Sequence, residues 1–161
     1  MSKSDATQEL KAGDRAPAFK MPSDGGGQIT SASLKGKPYV LYFYPKDDTS
    51  GCTKEAIAFS AAKKRFDALG VTVIGVSKDS VASHDRFKSK HKLTITLASD
   101  PETATAALYG TWVEKSLYGR NYMGMERATF LIGADGKIVR VWRKVKVPGH
   151  IEEVLAAAKA L

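Results

Sequence analysis

Two apolar runs of β-favouring residues, YVLYFYP (39–45) and VTVIGVS (71–77), flank a stretch that repeats apolar residues at helical spacing. Both runs are nearly continuous rather than alternating, as in strands covered on both faces. Between them, Ala56, Phe59, Ala62, Phe66 and Leu69 recur with the helical period over 52–70, and Gly70 follows as a stop. A buried strand, a helix and a second buried strand make a β-α-β unit. A chain built on one is of the α/β class.

The rest of the chain continues the alternation. Residues 80–92 (SVASHDRFKSKHK) predict a helix capped by Ser80, 95–100 a short strand, and 101–110 a short helix with Pro101 near its start. RATFLIGADGKIVRVWRKV (127–145) reads as a strand, an Asp-Gly-type turn and a strand, and 149–161 as a closing amphipathic helix. Upstream, residues 14–37 read as short extended pieces around a glycine turn at 25–27, an N-terminal β-hairpin extension. Residues 1–10 are polar and expected to be a flexible N-terminus; 11–161 are expected to form one domain. A closing antiparallel hairpin makes the sheet mixed. The central β-α-β followed by α-β-β-α is the thioredoxin-like order, a central mixed sheet flanked by helices.

Composition bounds the function. A length of 161 residues suits a single domain with a proper core. No stretch approaches the run of about 18 apolar residues that a membrane span needs, and MSKSDATQEL carries no apolar segment of a secretory signal. The net charge of +8 comes from scattered basic residues, densest at 61–66, 87–92 and 142–146, without a recognition motif around any of them. These read as solvated faces rather than a nucleic-acid surface; neither nucleic acid nor membrane is an expected partner. The single cysteine, Cys52, excludes an intramolecular disulfide and fits a reducing compartment, so a cytoplasmic location is expected.

Cys52 follows a turn rich in Pro, Asp, Thr, Ser and Gly and opens the first helix, at the carboxyl end of a buried strand. Helix N-termini carry partial positive charge and free N–H groups that stabilise a thiolate, the nucleophilic form of the side chain. Strand carboxyl ends are where open α/β sheets place ligands. A cysteine is also a small hydrophobe suited to a core; the turn before Cys52 favours chemistry. Other groups offer less. His84, His91 and His150 lack metal-ligand spacing. Asp47 and Asp48 read as solvated turn residues, Trp112 and Trp142 as packing aromatics, and GADG and DGGG as turns rather than phosphate loops. No cofactor and no metal are expected.

The segment YFYPKDDTSGCTKEAIAF resembles the active-site segment of the peroxiredoxins, Pro-x-x-x-Thr-x-x-Cys, here Pro45, Thr49 and Cys52. The Gly-Cys-Thr-x-Glu form (Gly51, Cys52, Thr53, Glu55) resembles the bacterioferritin comigratory protein branch, also called PrxQ. The likeness continues through VIGVSKDSVASHDRFKSKHKL, LASD and GMERATFLIGADGKIVRVW, and covers about residues 10 to 160. It implies a thiol-dependent peroxidase acting on hydrogen peroxide and organic hydroperoxides through a Cys52 sulfenic acid. In it Thr49 would hydrogen-bond thiolate and peroxide, Pro45 would shield the thiolate, and Arg127 would hold the thiolate and polarise the peroxide. Glu55 would orient Arg127, and the Gly51 and Cys52 N–H groups would complete the donors. For Thr49 the alternative from the residues alone is a helix N-cap, and for Glu55 an ordinary first-turn carboxylate.

The chain departs from the family at the second, resolving cysteine. Ile57 and Lys88 stand at the two positions where many members of the branch carry it. An internal disulfide is therefore impossible, and a one-cysteine mechanism is implied, with an external thiol such as thioredoxin, glutaredoxin or glutathione recycling the enzyme. The resemblance also implies a monomer and a role in antioxidant defence. The competing possibility is a peroxide-sensing thiol protein that uses the same cysteine once per signal.

Overall fold

The computed structural model describes residues 9–161; of the N-terminal stretch expected to be flexible, residues 1–8 lie outside the described residues. The N-terminal hairpin pairs β1 (Lys20–Pro22) with β2 (Gln28–Thr30), turning through Gly25 and Gly26 at positive φ. The core sheet then builds from β3 (Tyr39–Phe43), β4 (Thr72–Ser77) and β5 (Thr96–Ser99), all parallel. Between β3 and β4 run helices α1 (Ser50–Ala61) and α2 (Lys63–Ala68), and α3 (Val81–His91) links β4 to β5. After β5 come the short helix α4 (Ala104–Leu108) and a hairpin of β6 (Trp112–Leu117) and β7 (Arg120–Met125). Strands β8 (Ala128–Ile132) and β9 (Ile138–Trp142) complete the sheet antiparallel, and α5 (His150–Lys159) closes the chain. The sheet order is β5-β4-β3-β8-β9, the mixed thioredoxin-like arrangement with an N-terminal hairpin.

Every residue of β3 is buried, and its alternate side chains serve two separate cores. Val40, Tyr42 and, just beyond the strand, Tyr44 join Phe59, Phe66, Phe87 and Val154 under α1, α2, α3 and α5. Tyr39, Leu41 and Phe43 join Met21, Tyr109 and Phe130 on the other face. Burying one such side chain contributes about 1.5–3 kcal/mol. The height of α1 above the sheet is set by Tyr42, whose ring stacks on Phe59 with centroids 4.5 Å apart. Tyr42 has room because its β4 partner is Gly75, where a Cβ would meet the ring at 2.7 Å.

Three local expectations need correction, and one element was not foreseen. The helix expected over 52–70 starts at Ser50 and breaks at Ala62, whose N–H is shared among carbonyls of the preceding turn, the bifurcated pattern of a helix end. Pro101 is not at the start of a helix. It lies in a turn, and α4 begins at Ala104 because Asp100 accepts the free N–H groups of Thr105 and Ala106 (3.2 and 2.8 Å). The β6–β7 hairpin was not expected at all. It turns on Tyr118 and Gly119, both at positive φ, as a two-residue turn that matches strand twist requires. Lastly, Asp47 is not solvated; it is buried at the sheet's carboxyl edge beside α3.

Candidate active site

Parallel β3 delivers the chain to the carboxyl edge of the sheet, where residues 45–49 turn it into α1. Thr49 takes the extended N-cap conformation, and its carbonyl accepts the Thr53 N–H at 2.8 Å. Cys52 is thus the third residue of α1, inside its first turn, with the helix dipole and unpaired N–H groups around it. It is 2% exposed and its thiol is free.

Arg127 comes to the same place from the far end of the sequence. It immediately precedes β8, whose first residue, Ala128, pairs with Phe43, the last of β3. That register puts the Arg127 side chain over the start of α1. Its Nη2 donates to Cys52 Sγ at 3.3 Å and its Nη1 to Glu55 Oε1 at 2.6 Å. Cys52 and Glu55 are one helical turn apart on the same face, so one planar guanidinium spans both. Burial works against the charge of Arg127, but the charges of Glu55 and Cys52 and the hydrogen bonds to them outweigh it and raise its pKa. Glu55 is fully buried; that burial pushes its carboxyl up to about 7 against the opposing pull of Arg127. Among the described residues its second oxygen has no hydrogen-bond partner, nor does the buried Tyr42 hydroxyl.

Gly51 explains how the guanidinium fits. A Cβ at this position would lie 3.1 Å from Arg127 Nη2. Gly51→Ala is expected to act with opposite signs on stability and chemistry. The added methyl favours helix by up to about 1 kcal/mol, while pushing the guanidinium off Cys52 slows thiol oxidation by about tenfold. Thermal melts and the peroxide-dependent oxidation rate of Cys52 check both halves.

Pro45 is half-buried at the turn out of β3. Thr49 reaches the helix start but is exposed, makes no side-chain cap, and gives its hydroxyl proton to the Lys46 carbonyl at 2.8 Å rather than to Cys52. The oxygen's lone pairs remain open to accept. At the two alternative resolving positions, Ile57 is exposed and Lys88 holds Asp24 at 2.7 Å. The three histidines do not converge, and among the described residues no group of three or more His, Cys, Asp or Glu is arranged to hold a metal ion. A hollow of about 490 Å³ lies at the opposite end of the sheet, around Leu34, Tyr39 and Gly133, and none of the expected site residues lines it.

Residue-by-residue reading missed one part of the neighbourhood: Asp47 and His84 meet in a buried ion pair, Nδ1 to Oδ2 at 2.7 Å. The signal was present in two places, an aspartate within the turn before Cys52 and a histidine on the inward face of α3, but 37 residues separate them.

A thiol held at a helix start beneath an arginine, on a thioredoxin-like sheet, defines the class of proteins that do thiol redox chemistry. Comparison with known proteins narrows it. Residues 12–141 match the AhpC/TSA family. Peroxiredoxin Bcp of Xanthomonas campestris is 44% identical over 158 residues, 97% of this chain and 96% of that protein. Peroxiredoxin Bcp of Bacillus subtilis is 43% identical over 150 residues, covering 93% and 96%. A solved structure of X. campestris peroxiredoxin Q superposes with a TM-score of 0.88 at 43% identity, covering 92% of this chain and 97% of that one. Another X. campestris structure, 42% identical over 92% and 98% of the two chains with a TM-score of 0.88, is of the bacterioferritin comigratory protein and concerns its alkyl peroxide reduction. The chain belongs to the AhpC/TSA family, among the peroxiredoxins of the Bcp/PrxQ kind. These are thiol-dependent peroxidases that reduce peroxides at the expense of thiol reductants.

Proposed function

We propose that Cys52 is the peroxidatic nucleophile of a one-cysteine peroxiredoxin whose oxidised form is reduced by an external thiol. The observation that carries this reading is the 3.3 Å contact from Arg127 to the sulfur of the chain's single cysteine. The thiolate attacks the terminal peroxide oxygen, the O–O bond breaks, and the leaving oxygen takes up a proton to depart as water or an alcohol. Cys52 is left as sulfenic acid. Arg127 and the Gly51 and Cys52 N–H groups stabilise the charge that moves from sulfur to the leaving oxygen. Thr49 accepts from the incoming hydroperoxide, Pro45 limits access of water, and Glu55 fixes the plane of Arg127. An external thiol then attacks the sulfenic sulfur, releasing water and forming a mixed disulfide. A second thiol frees Cys52 and carries away the disulfide.

Hydrogen peroxide and organic hydroperoxides are the substrates on this reading, in line with the alkyl peroxide reduction described for the X. campestris relative. Thioredoxin, glutaredoxin or glutathione is the reductant. The protein works as a cytoplasmic monomer in antioxidant defence, and among the described residues no helix is long and apolar enough to cross a membrane. Peroxide turnover with thioredoxin, with glutaredoxin plus glutathione, and with dithiothreitol tests it. Many cycles per chain with at least one of them are expected. A single reduction per chain in all three would mark a sensor. In excess peroxide without reductant, Cys52 is expected to gain two oxygens and lose activity, since no second thiol intercepts the sulfenic acid.

A further inference from the structure

We propose that Asp47 and His84 are positioning residues for peroxide reduction: their buried contact ties the loop between β3 and α1 to α3, and so sets the alignment of Cys52 with Arg127. The inference rests on Cys52 being the peroxidatic residue.

Asp47 sits in the middle of that loop, five residues before Cys52. Its carboxylate accepts from Tyr44 Oη (2.7 Å) and Ser83 Oγ (2.8 Å) and contacts His84 Nδ1 (2.7 Å), and its backbone N–H donates to Asp79 Oδ2 (2.8 Å). His84 is fully buried, and its other ring nitrogen, Nε2, lies 2.9 Å from the carbonyl oxygen of Ala98 in β5. A carboxylate and a carbonyl both only accept, so against an ionised Asp47 the ring donates from both nitrogens. Charge-assisted contacts of this length are the stronger kind of hydrogen bond. The groups around the ring agree. Burial opposes its charge, but the hydrogen bond and charge of Asp47, the Ala98 carbonyl and the charge of Asp79 outweigh it and raise the pKa. Tyr44, just beyond β3, faces the ring as an uncharged aromatic.

The next residue repeats the grip. Asp48, at φ 59, holds Lys90 Nζ (2.7 Å) and His91 Nε2 (2.8 Å) at the far end of α3. Two consecutive loop aspartates therefore fasten to sites seven residues, or two turns, apart on one helix. The left-handed backbone at Asp48 is one that aspartate adopts more readily than most L residues, and it turns the side chain toward the end of α3. The loop so held ends in Thr49, whose carbonyl makes the first hydrogen bond of α1 at 2.8 Å. A shift of the loop is a shift of the turn that carries Cys52.

The test compares the second-order rate of Cys52 oxidation by hydrogen peroxide with the rate of its alkylation by iodoacetamide, in Asp47→Asn, Ser83→Ala and Cys52→Ser, with thermal melts alongside. Oxidation needs Cys52 aligned with Arg127; alkylation needs only a reachable thiolate. Asp47→Asn, assayed well below its melting temperature, is expected to lose about tenfold or more in oxidation, out of proportion to any change in alkylation. Ser83→Ala, which leaves the ion pair in place, is expected to lose about threefold, as weakening one of several donors should. A purely structural role would lower the melting temperatures and leave the ratio of the two rates at its original value, and that result overturns the inference. If Asp47→Asn does not fold, an unchanged ratio in Ser83→Ala overturns it alone. Peroxide turnover persisting in Cys52→Ser would instead overturn the assignment of Cys52, whatever the loop variants do.

Discussion

Cys52→Ser abolishes peroxide turnover and leaves the fold standing. Sulfur and oxygen side chains are nearly isosteric, and Cys52 packs as a small buried group among the residues beneath α1, so the exchange opens little space. What disappears is the proposed nucleophile. The thiolate is the nucleophilic form of a cysteine side chain, and a helix start with an arginine beside it supplies donors to that sulfur. A hydroxyl in the same place stays protonated at neutral pH and does not attack the O–O bond. The measurement is peroxide consumption with dithiothreitol as reductant, alongside circular dichroism. Rates at the background of buffer and reductant, with a native spectrum, are expected; turnover above background would remove Cys52 from the mechanism.

Arg127→Lys slows the oxidation of Cys52 by more than about tenfold, within the range seen when one preorganised donor to a developing charge is lost. The guanidinium reaches Glu55 with one terminal nitrogen and Cys52 with the other, at 2.6 and 3.3 Å. A lysine ammonium is a single point of charge on a flexible stem and cannot hold both partners in one plane. Fully buried Glu55 competes for it with the thiolate. Burial pushes the Glu55 carboxyl up to about 7 against the pull of Arg127, so a weaker partner leaves a group that is readily neutralised, and the fold is expected to survive while alignment is lost. Stopped-flow oxidation at several peroxide concentrations separates a lower second-order rate, which is expected, from an unchanged one, which would reduce Arg127 to a packing residue.

How much of this was legible in the sequence differs from element to element. The strands at 39–45 and 71–77 announce themselves because both of their faces are apolar, and the helix between them because its apolar residues keep one period. The β6–β7 hairpin did not, since most of its residues are exposed on both faces and leave no alternation to read. The break at Ala62 carries no glycine or proline to mark it. Within the site, Cys52 stood out by its turn and its solitude. Arg127 is 75 residues away and was reached only through the resemblance of its flanking strand; strand pairing of Phe43 with Ala128 is what brings it home. Asp47 illustrates the opposite failure. An aspartate in a polar turn looks solvated, and only the packing of α3 against that turn makes it the most densely hydrogen-bonded carboxylate near the site.

The central claim is that one cysteine does the chemistry and something outside the chain resets it. Intact-mass analysis of the protein after one equivalent of hydrogen peroxide, without reductant, tests it most directly. The expected product is a monomer heavier by one oxygen atom, trapped at Cys52 by a sulfenic-acid reagent and returned to the starting mass, through a mixed disulfide, when a small thiol is added. A sample that runs mainly as a covalent dimer through Cys52 would mean that one chain resolves another, and would contradict the external-reductant mechanism.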